Sequence, residues 1–220
     1  MWEVADLADR FPTKEEMMRA FEEYHGAEVQ KKYGKARVAV CGLGGLGSNI
    51  ALSLARAGVG TLHLIDFDTV SLSNLNRQQY AVSQLGKYKT EALRENLLAV
   101  APYINLVTDT VRITEDNIEE LLKEADVICE AFDGAEQKAM LVNCVSEMFP
   151  EKYLVSGSGM AGFSSANSIK TRKVAGRFYL CGDENSDVSD NIGLLSSRVM
   201  ICAAHEAHMV LRILAEKYEP

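Results

Sequence analysis

The chain has 220 residues and a formal charge of −8, from 23 basic and 31 acidic side chains. That balance repels a phosphodiester backbone, so nucleic acid is a disfavoured partner. Hydrophobic residues at 47% and charged residues at 25% match an ordinary globular protein, and only 4 prolines interrupt the chain.

The N-terminus, Met1-Trp2-Glu3-Val4-Ala5-Asp6, has neither the basic nor the apolar region of a secretory signal. Residues 1–36 read as a charged helical arm. Thr13-Lys14-Glu15-Glu16 is a capping box, and Met17, Met18, Phe21 and Tyr24 supply an apolar face. Residues 37–220 read as a single domain. Its first strand, 37–41, runs into Gly42 and then a helix over 48–57 on which Ile50, Leu54 and Ala57 are spaced for burial. A second strand, 61–65, ends at Asp66.

The alternation continues with a helix over 89–100, a strand over 104–113, a helix from Thr114 (as N-cap) to 123, and a strand over 126–130. The loop Phe132-Asp133-Gly134 leads into a helix ending at Met148, and a further strand covers 153–156. This pattern predicts an α/β fold with a doubly wound, mostly parallel sheet of the Rossmann type. Segments 167–171 and 177–181 read as an antiparallel extension around Ala175-Gly176. Residues 182–191 read as polar, acidic and mobile. The last helix, 194–217, carries Met200, Ala203, Ala204, Ala207, Val210, Leu211 and Leu214 as its core stripe. No apolar stretch reaches the length of a membrane span, and the expectation is a soluble, cytoplasmic protein without membrane association.

The cysteines, Cys41, Cys129, Cys144, Cys181 and Cys202, form no Cys-x-x-Cys pair and read as reduced, buried thiols. His205 and His208 have a spacing able to share a metal, but no third ligand is evident.

The chemistry begins at Gly42-Leu43-Gly44-Gly45-Leu46-Gly47, placed where a strand turns into a helix. Glycines there let a phosphate or ribose approach the backbone, and Asp66 is placed for a ribose hydroxyl. A nicotinamide-dependent oxidoreductase fits this much equally well. The loop from Asp66 to Gln78 separates the two, because Ser73, Asn74, Asn76, Arg77 and Gln78 form a long polar stretch with one guanidinium. An enzyme that attacks the α-phosphate of ATP needs such a charge where a dehydrogenase does not.

At these residues the chain resembles the ThiF/MoeB/HesA family of the ubiquitin-activating superfamily. The glycine string, the segment 66–78, Lys89 after Gly86, and Phe132-Asp133-Gly134 carry the likeness over residues 37–216. It looks most like the short ThiF-like adenylyltransferases of thiamine biosynthesis, on Ser158-Gly159-Met160-Ala161-Gly162 and Asn167-Ser168-Ile169. The resemblance implies a cytoplasmic homodimer that uses ATP and Mg2+ to adenylate the Gly-Gly C-terminus of a small ubiquitin-like sulfur carrier. Gly42, Gly44 and Gly45 would contact ATP and Asp66 its ribose. Ser73, Asn74, Asn76, Arg77 and Gln78 would line the phosphates. Lys89 would add a second positive charge, and Asp133, with Gly134 completing the loop, would ligate magnesium. Arg77, Lys89 and Asp133 would form the catalytic set.

The sequence departs from larger members in lacking two Cys-x-x-Cys pairs, so no zinc is expected. Ser189 stands where relatives place a crossover cysteine, which points to a separate sulfur donor protein. Arg10 and Arg19 are candidates for the arginine that the family supplies from the partner subunit, with Tyr24-His25 nearer the expected place. A relative that activates a carboxylate on a tRNA base is the rival within the family.

Overall fold

The computed structural model describes residues 11–187 and 193–220. Two short helices, α1 (Lys14–His25) and α2 (Ala27–Lys35), precede the sheet. The capping box opens α1, where Thr13 Oγ1 accepts from the Glu16 amide and Glu16 returns a bond to the Thr13 amide. Tyr24, expected on the apolar face of α1, is 88% exposed. The second helix is tied to the sheet side of the molecule: Gln30 Nε2 donates to Gly58 O, and the Gly60 amide donates to Tyr33 O.

Seven strands form one sheet among the described residues, in the order β3-β2-β1-β4-β5-β7-β6. These are β1 (Arg37–Cys41), β2 (Thr61–Ile65), β3 (Asn105–Asp109), β4 (Val127–Glu130), β5 (Tyr153–Gly157), β6 (Lys170–Ala175) and β7 (Phe178–Gly182). All pairings are parallel except β6 with β7. The connecting helices are α3 (Gly45–Arg56), α4 (Lys89–Val100), α5 (Ile118–Leu122) and α6 (Ala135–Met148), and α7 (Ser196–Leu214) follows β7. The period-two pattern of β1 distributes the core to both faces. Val38 and Val40 pack with Ile50 and Leu54 of α3 and Val210 of α7, whereas Ala39 and Cys41 pack with Ile118 of α5 and Leu141 of α6. Ile50 and Leu54 are fully buried, each contributing about 1.5–3 kcal/mol.

Several boundaries differ from the sequence reading. Helix α3 starts at Gly45, three residues earlier, because the glycines themselves make its first turn. The strand expected over 104–113 is confined to Asn105–Asp109. Thr114 is not an N-cap: its amide donates to Asn117 Oδ1 and its carbonyl accepts from Ile118, so α5 begins at Ile118. Strand β6 starts at Lys170, after a 3-10 turn over Ala166–Ser168.

The core face of α7 keeps Ala203, Ala207 and Val210 of the expected stripe, with Leu211 and Leu214 partly buried against it, but not Met200 and Ala204. Met200 and Ala204 are exposed, and the buried face is Val199, Cys202, Ala203, Glu206, Ala207, Met209, Val210 and Ile213, together with Arg198. Two charged residues therefore sit inside an apolar stripe, where hydrophobic periodicity passes over them. The described part of the acidic loop, 183–187, is held by Asp183, whose carboxylate accepts from the amides of Asn185 and Ser186. Among the described residues no helix is long and apolar enough to cross a membrane.

Candidate functional site: a nucleotide cleft at the C-terminal edge of the sheet

Strand order reverses between β1 and β4, so the ends of β2, β1 and β4 open a crevice where ligands of such sheets bind. The glycine turn fills its floor. An added Cβ on Gly47 would lie 1.8 Å from Gly42 O, which fixes the close packing of helix on strand. Gly42, at φ +91°, faces Ala131 O and the Phe132 ring, bringing the loop after β4 against the turn. Ser48 Oγ donates to Gly44 O at 2.6 Å and steadies the first turn of α3.

Asp66 and Lys89 meet at the end of β2. Asp66 is 8% exposed, its Oδ2 accepts from the Leu43 amide at 2.7 Å, and its Oδ1 accepts from the Asp68 amide at 2.8 Å. Lys89, 6% exposed, puts Nζ 2.8 Å from Asp68 Oδ2 and 3.7 Å from Asp66 Oδ2. Two carboxylates hold the buried Lys89 ammonium group in place at the mouth of the crevice.

Arg77 and its neighbours form the second group. Arg77 Nη1 donates to Ser73 O at 3.0 Å and to Asn76 Oδ1 at 2.8 Å. Asn74 Oδ1 is used locally, accepting from the Ser71 amide, and Ser73 and Asn76 are exposed. Gln78 is buried with Nε2 beside Gly44, and the Arg77 side chain lies beside Gly45. Arg77 Nε and Gln78 Oε1 are buried without a hydrogen-bond partner among the described residues. The orphaned Arg77 donor, next to a glycine turn, fits a phosphate oxygen, and the orphaned Gln78 acceptor fits a hydroxyl or amine of a nucleotide.

Asp133 is exposed on the loop between β4 and α6 and makes no hydrogen bond or ion pair among the described residues; Gly134 is the N-cap of α6. No direct contact joins Asp133 to Arg77 or Lys89; they are related through the glycine turn. An exposed carboxylate of this kind has the donor chemistry that magnesium takes, one or two carboxylates with phosphate oxygens and waters.

Several residues that support the cleft have no motif. Asn49 Nδ2 donates to Gly45 O and Arg77 O, and Asn49 Oδ1 accepts from Gln79 Nε2 at 2.6 Å, clipping the polar loop to α3. Tyr80 Oη donates to Leu43 O at 2.7 Å, and burial, then Asp66 and Asp68, push its phenol well above the usual range. Glu130, fully buried, accepts from the Phe132 amide, Ser156 Oγ and Lys138 Nζ, and so braces the Asp133 loop. The signal in the sequence was a polar residue on an apolar helix face or strand. Burial pushes all five thiols above their usual range, reinforced by Glu130 at Cys41 and by Glu206 at Cys129, Cys181 and Cys202; Cys144 is only half-buried, against the expectation of a buried thiol. His205 Nδ1 is bonded to Thr171 Oγ1, and His25 Nδ1 to Gln30 Oε1. Arg19 is exposed on α1, while Arg10 and Ser189 lie outside the described residues.

The crevice, the glycine turn and the paired charges define a Rossmann-type nucleotide-binding protein. The chain matches the ThiF family over residues 15–220 and belongs to it. It is 33% identical to the molybdopterin-synthase adenylyltransferase of Escherichia coli K12 over 210 residues, covering 93% of this chain and 81% of that protein. It is 39% identical over 110 residues to the probable adenylyltransferase/sulfurtransferase MoeZ of Mycobacterium tuberculosis, half of this chain but only 28% of that protein. The fold matches the E. coli tRNA N6-threonylcarbamoyladenosine dehydratase TcdA in complex with ATP at a TM-score of 0.82 and 20% identity, covering 91% of this chain and 94% of that one.

Proposed function

We propose that this chain is an ATP-dependent adenylyltransferase that activates the C-terminal glycine carboxylate of a small ubiquitin-like sulfur carrier and releases pyrophosphate. The observation that carries this reading is the juxtaposition, around one glycine turn, of the Asp66–Lys89 pair, the orphaned polar atoms of Arg77 and Gln78, and the free carboxylate of Asp133. Relatives named as adenylyltransferases support it.

Asp66 would take the ribose hydroxyls, exchanging one of its present amide donors for them. The backbone of the turn at Gly42, Gly44 and Gly45 would meet the phosphates, with Arg77 and Lys89 facing the charge that develops at the α-phosphorus. Ser73, Asn74, Asn76 and Gln78 would line that cavity. Asp133 would hold magnesium, which offsets charge on the departing pyrophosphate. The attacking carboxylate is already ionised at neutral pH, so no general base is required. Catalysis is then positioning and electrostatic stabilisation.

The finer placement, a carrier of the thiamine pathway, rests on the segments 158–162 and 167–169. Ser189 in place of the crossover cysteine of relatives favours sulfur arriving from a separate donor protein. A homodimer in the cytoplasm is part of the same proposal. Carrier-dependent exchange of pyrophosphate into ATP tests it, and a charge of −8 makes a tRNA acceptor the weaker reading.

A further inference from the structure

The densest polar knot outside the nucleotide cleft surrounds Arg198, in the first turn of α7 and 4% exposed. Its Nη1 donates to the carbonyls of Ser164 and Ser165 at 2.6 and 2.8 Å, and its Nε to Ala161 O at 3.2 Å. Its Nη2 reaches Ser168 Oγ at 3.2 Å and the carboxylate of Asp183. Burial opposes the charge on Asp183, but the amides of Ser186 and Asn185, Ser186 Oγ and Arg198 outweigh it and hold the carboxyl below its usual range.

One guanidinium thus ties the loop 158–169 to the turn 183–187. Backbone pairing runs alongside, with the Asp183 amide donating to Gly159 O and the Glu184 amide to Ser158 O. Gly159, at φ +79°, admits no Cβ, because Asp183 Oδ1 would lie 2.2 Å from it. Both segments leave the C-terminal ends of β5 and β7, on the same edge as the glycine turn and the Asp133 loop. In the strand order they lie beyond β4, on the side away from Asp66. Val199, the next residue, packs on Gly45, so the knot and the nucleotide turn share one turn of α7.

A nucleotide with its ribose at β2 and its phosphates toward β4 leaves the β5–β7 side for the incoming carboxylate. Arg198 does not take that carboxylate itself, because its donors are already committed to five oxygens. A position required only for packing would take an apolar side chain, whereas a buried guanidinium fixes loop shape through directed bonds.

We propose that Arg198 is a positioning residue for the acceptor: it sets the shape in which 158–169 and 183–187 receive the extended C-terminal tail of the carrier protein. This rests on the adenylation reading above. Arg198→Lys and Arg198→Met, made in the whole chain, test it through pyrophosphate exchange at varied carrier and varied ATP. Lysine keeps the charge opposite Asp183 but cannot span the three carbonyls. The expected result for Arg198→Lys is a rise in the carrier KM of about tenfold or more, with the ATP KM and the rate at saturating carrier changed by less than about threefold. Should Arg198→Met not fold, Arg198→Lys alone decides. An unchanged carrier KM, or carrier and ATP KM rising together with a lowered melting temperature, overturns the proposal and leaves Arg198 a structural residue. Absence of exchange in the wild type with every cognate carrier overturns the adenylation reading, and the acceptor role with it.

Discussion

The backbone amide of Leu43, inside the glycine turn, donates to the carboxylate of Asp66 at 2.7 Å. This bond joins the end of β1 to the end of β2 and sets the spacing between the glycine turn and Asp66 in the crevice. Replacement of Asp66 by Ala removes that acceptor and the second oxygen held by the Asp68 amide, and leaves Lys89 with Asp68 alone. The expected loss of ATP affinity is about thirtyfold or more, from a charge-assisted bond worth roughly 2 kcal/mol. Titration calorimetry with ATP measures it, and unchanged affinity places the ribose elsewhere.

Glycine has two different meanings in this chain. Gly47→Ala would drive a methyl to 1.8 Å from Gly42 O, and a backbone oxygen cannot turn away. The expected cost is about 3 kcal/mol or more, with loss of ATP binding. Gly34, in α2, has only Met18 Cε at 3.9 Å from the same position, so Gly34→Ala should raise stability by roughly 0.5–1 kcal/mol. Urea unfolding of both variants separates a packing glycine from a merely tolerated one.

Glu206 gives the protein a stability profile that declines toward alkaline pH. Burial, with Glu130 adding to it and Lys138 acting against it, raises its carboxyl well above the usual value, and Oε2 has no hydrogen-bond partner among the described residues. From the usual carboxylate value upward the unfolded chain releases this proton while the folded chain retains it. Stability is therefore lost as pH rises toward the folded value. Glu206→Gln mimics the neutral form and removes that loss. Thermal unfolding should show the variant gaining on the wild type from acid toward alkaline pH; parallel profiles would show that Glu206 is ionised in the fold.

The thiols of Cys41, Cys129, Cys181 and Cys202 are pushed above their usual range by burial first and neighbouring carboxylates second. Iodoacetamide at neutral pH should label the native protein slowly and leave exchange activity intact. Rapid labelling of one cysteine with loss of activity would point instead to a nucleophilic thiol in this chain.

The parallel sheet and the cleft were legible because they are written locally: β-branched runs ending in glycine or aspartate, and a polar loop with one arginine. The loops that support the site were not, because their contacts join distant segments. Asn49 to Gln79 spans 30 residues and Arg198 to Asp183 spans 15. Charged residues inside an apolar helix face, Arg198 and Glu206 on α7, break the hydrophobic period that locates the core. That is why the expected stripe, right at Ala203, Ala207 and Val210, also included Met200 and Ala204, which the structure exposes. The start of α5 shifted for a related reason, since Asn117 captures Thr114 in a turn that competes with the helix.

The most direct measurement is the exchange of radiolabelled pyrophosphate into ATP, with purified carrier, magnesium and either the wild type or Asp133→Ala. Asp133 is exposed and makes no bond among the described residues, so its replacement should leave stability within about 0.5 kcal/mol of the wild type. The account predicts carrier-dependent exchange in the wild type and its abolition in Asp133→Ala, with the melting temperature unchanged. Exchange that is absent from the wild type with every cognate carrier, or undiminished in the variant, would contradict it.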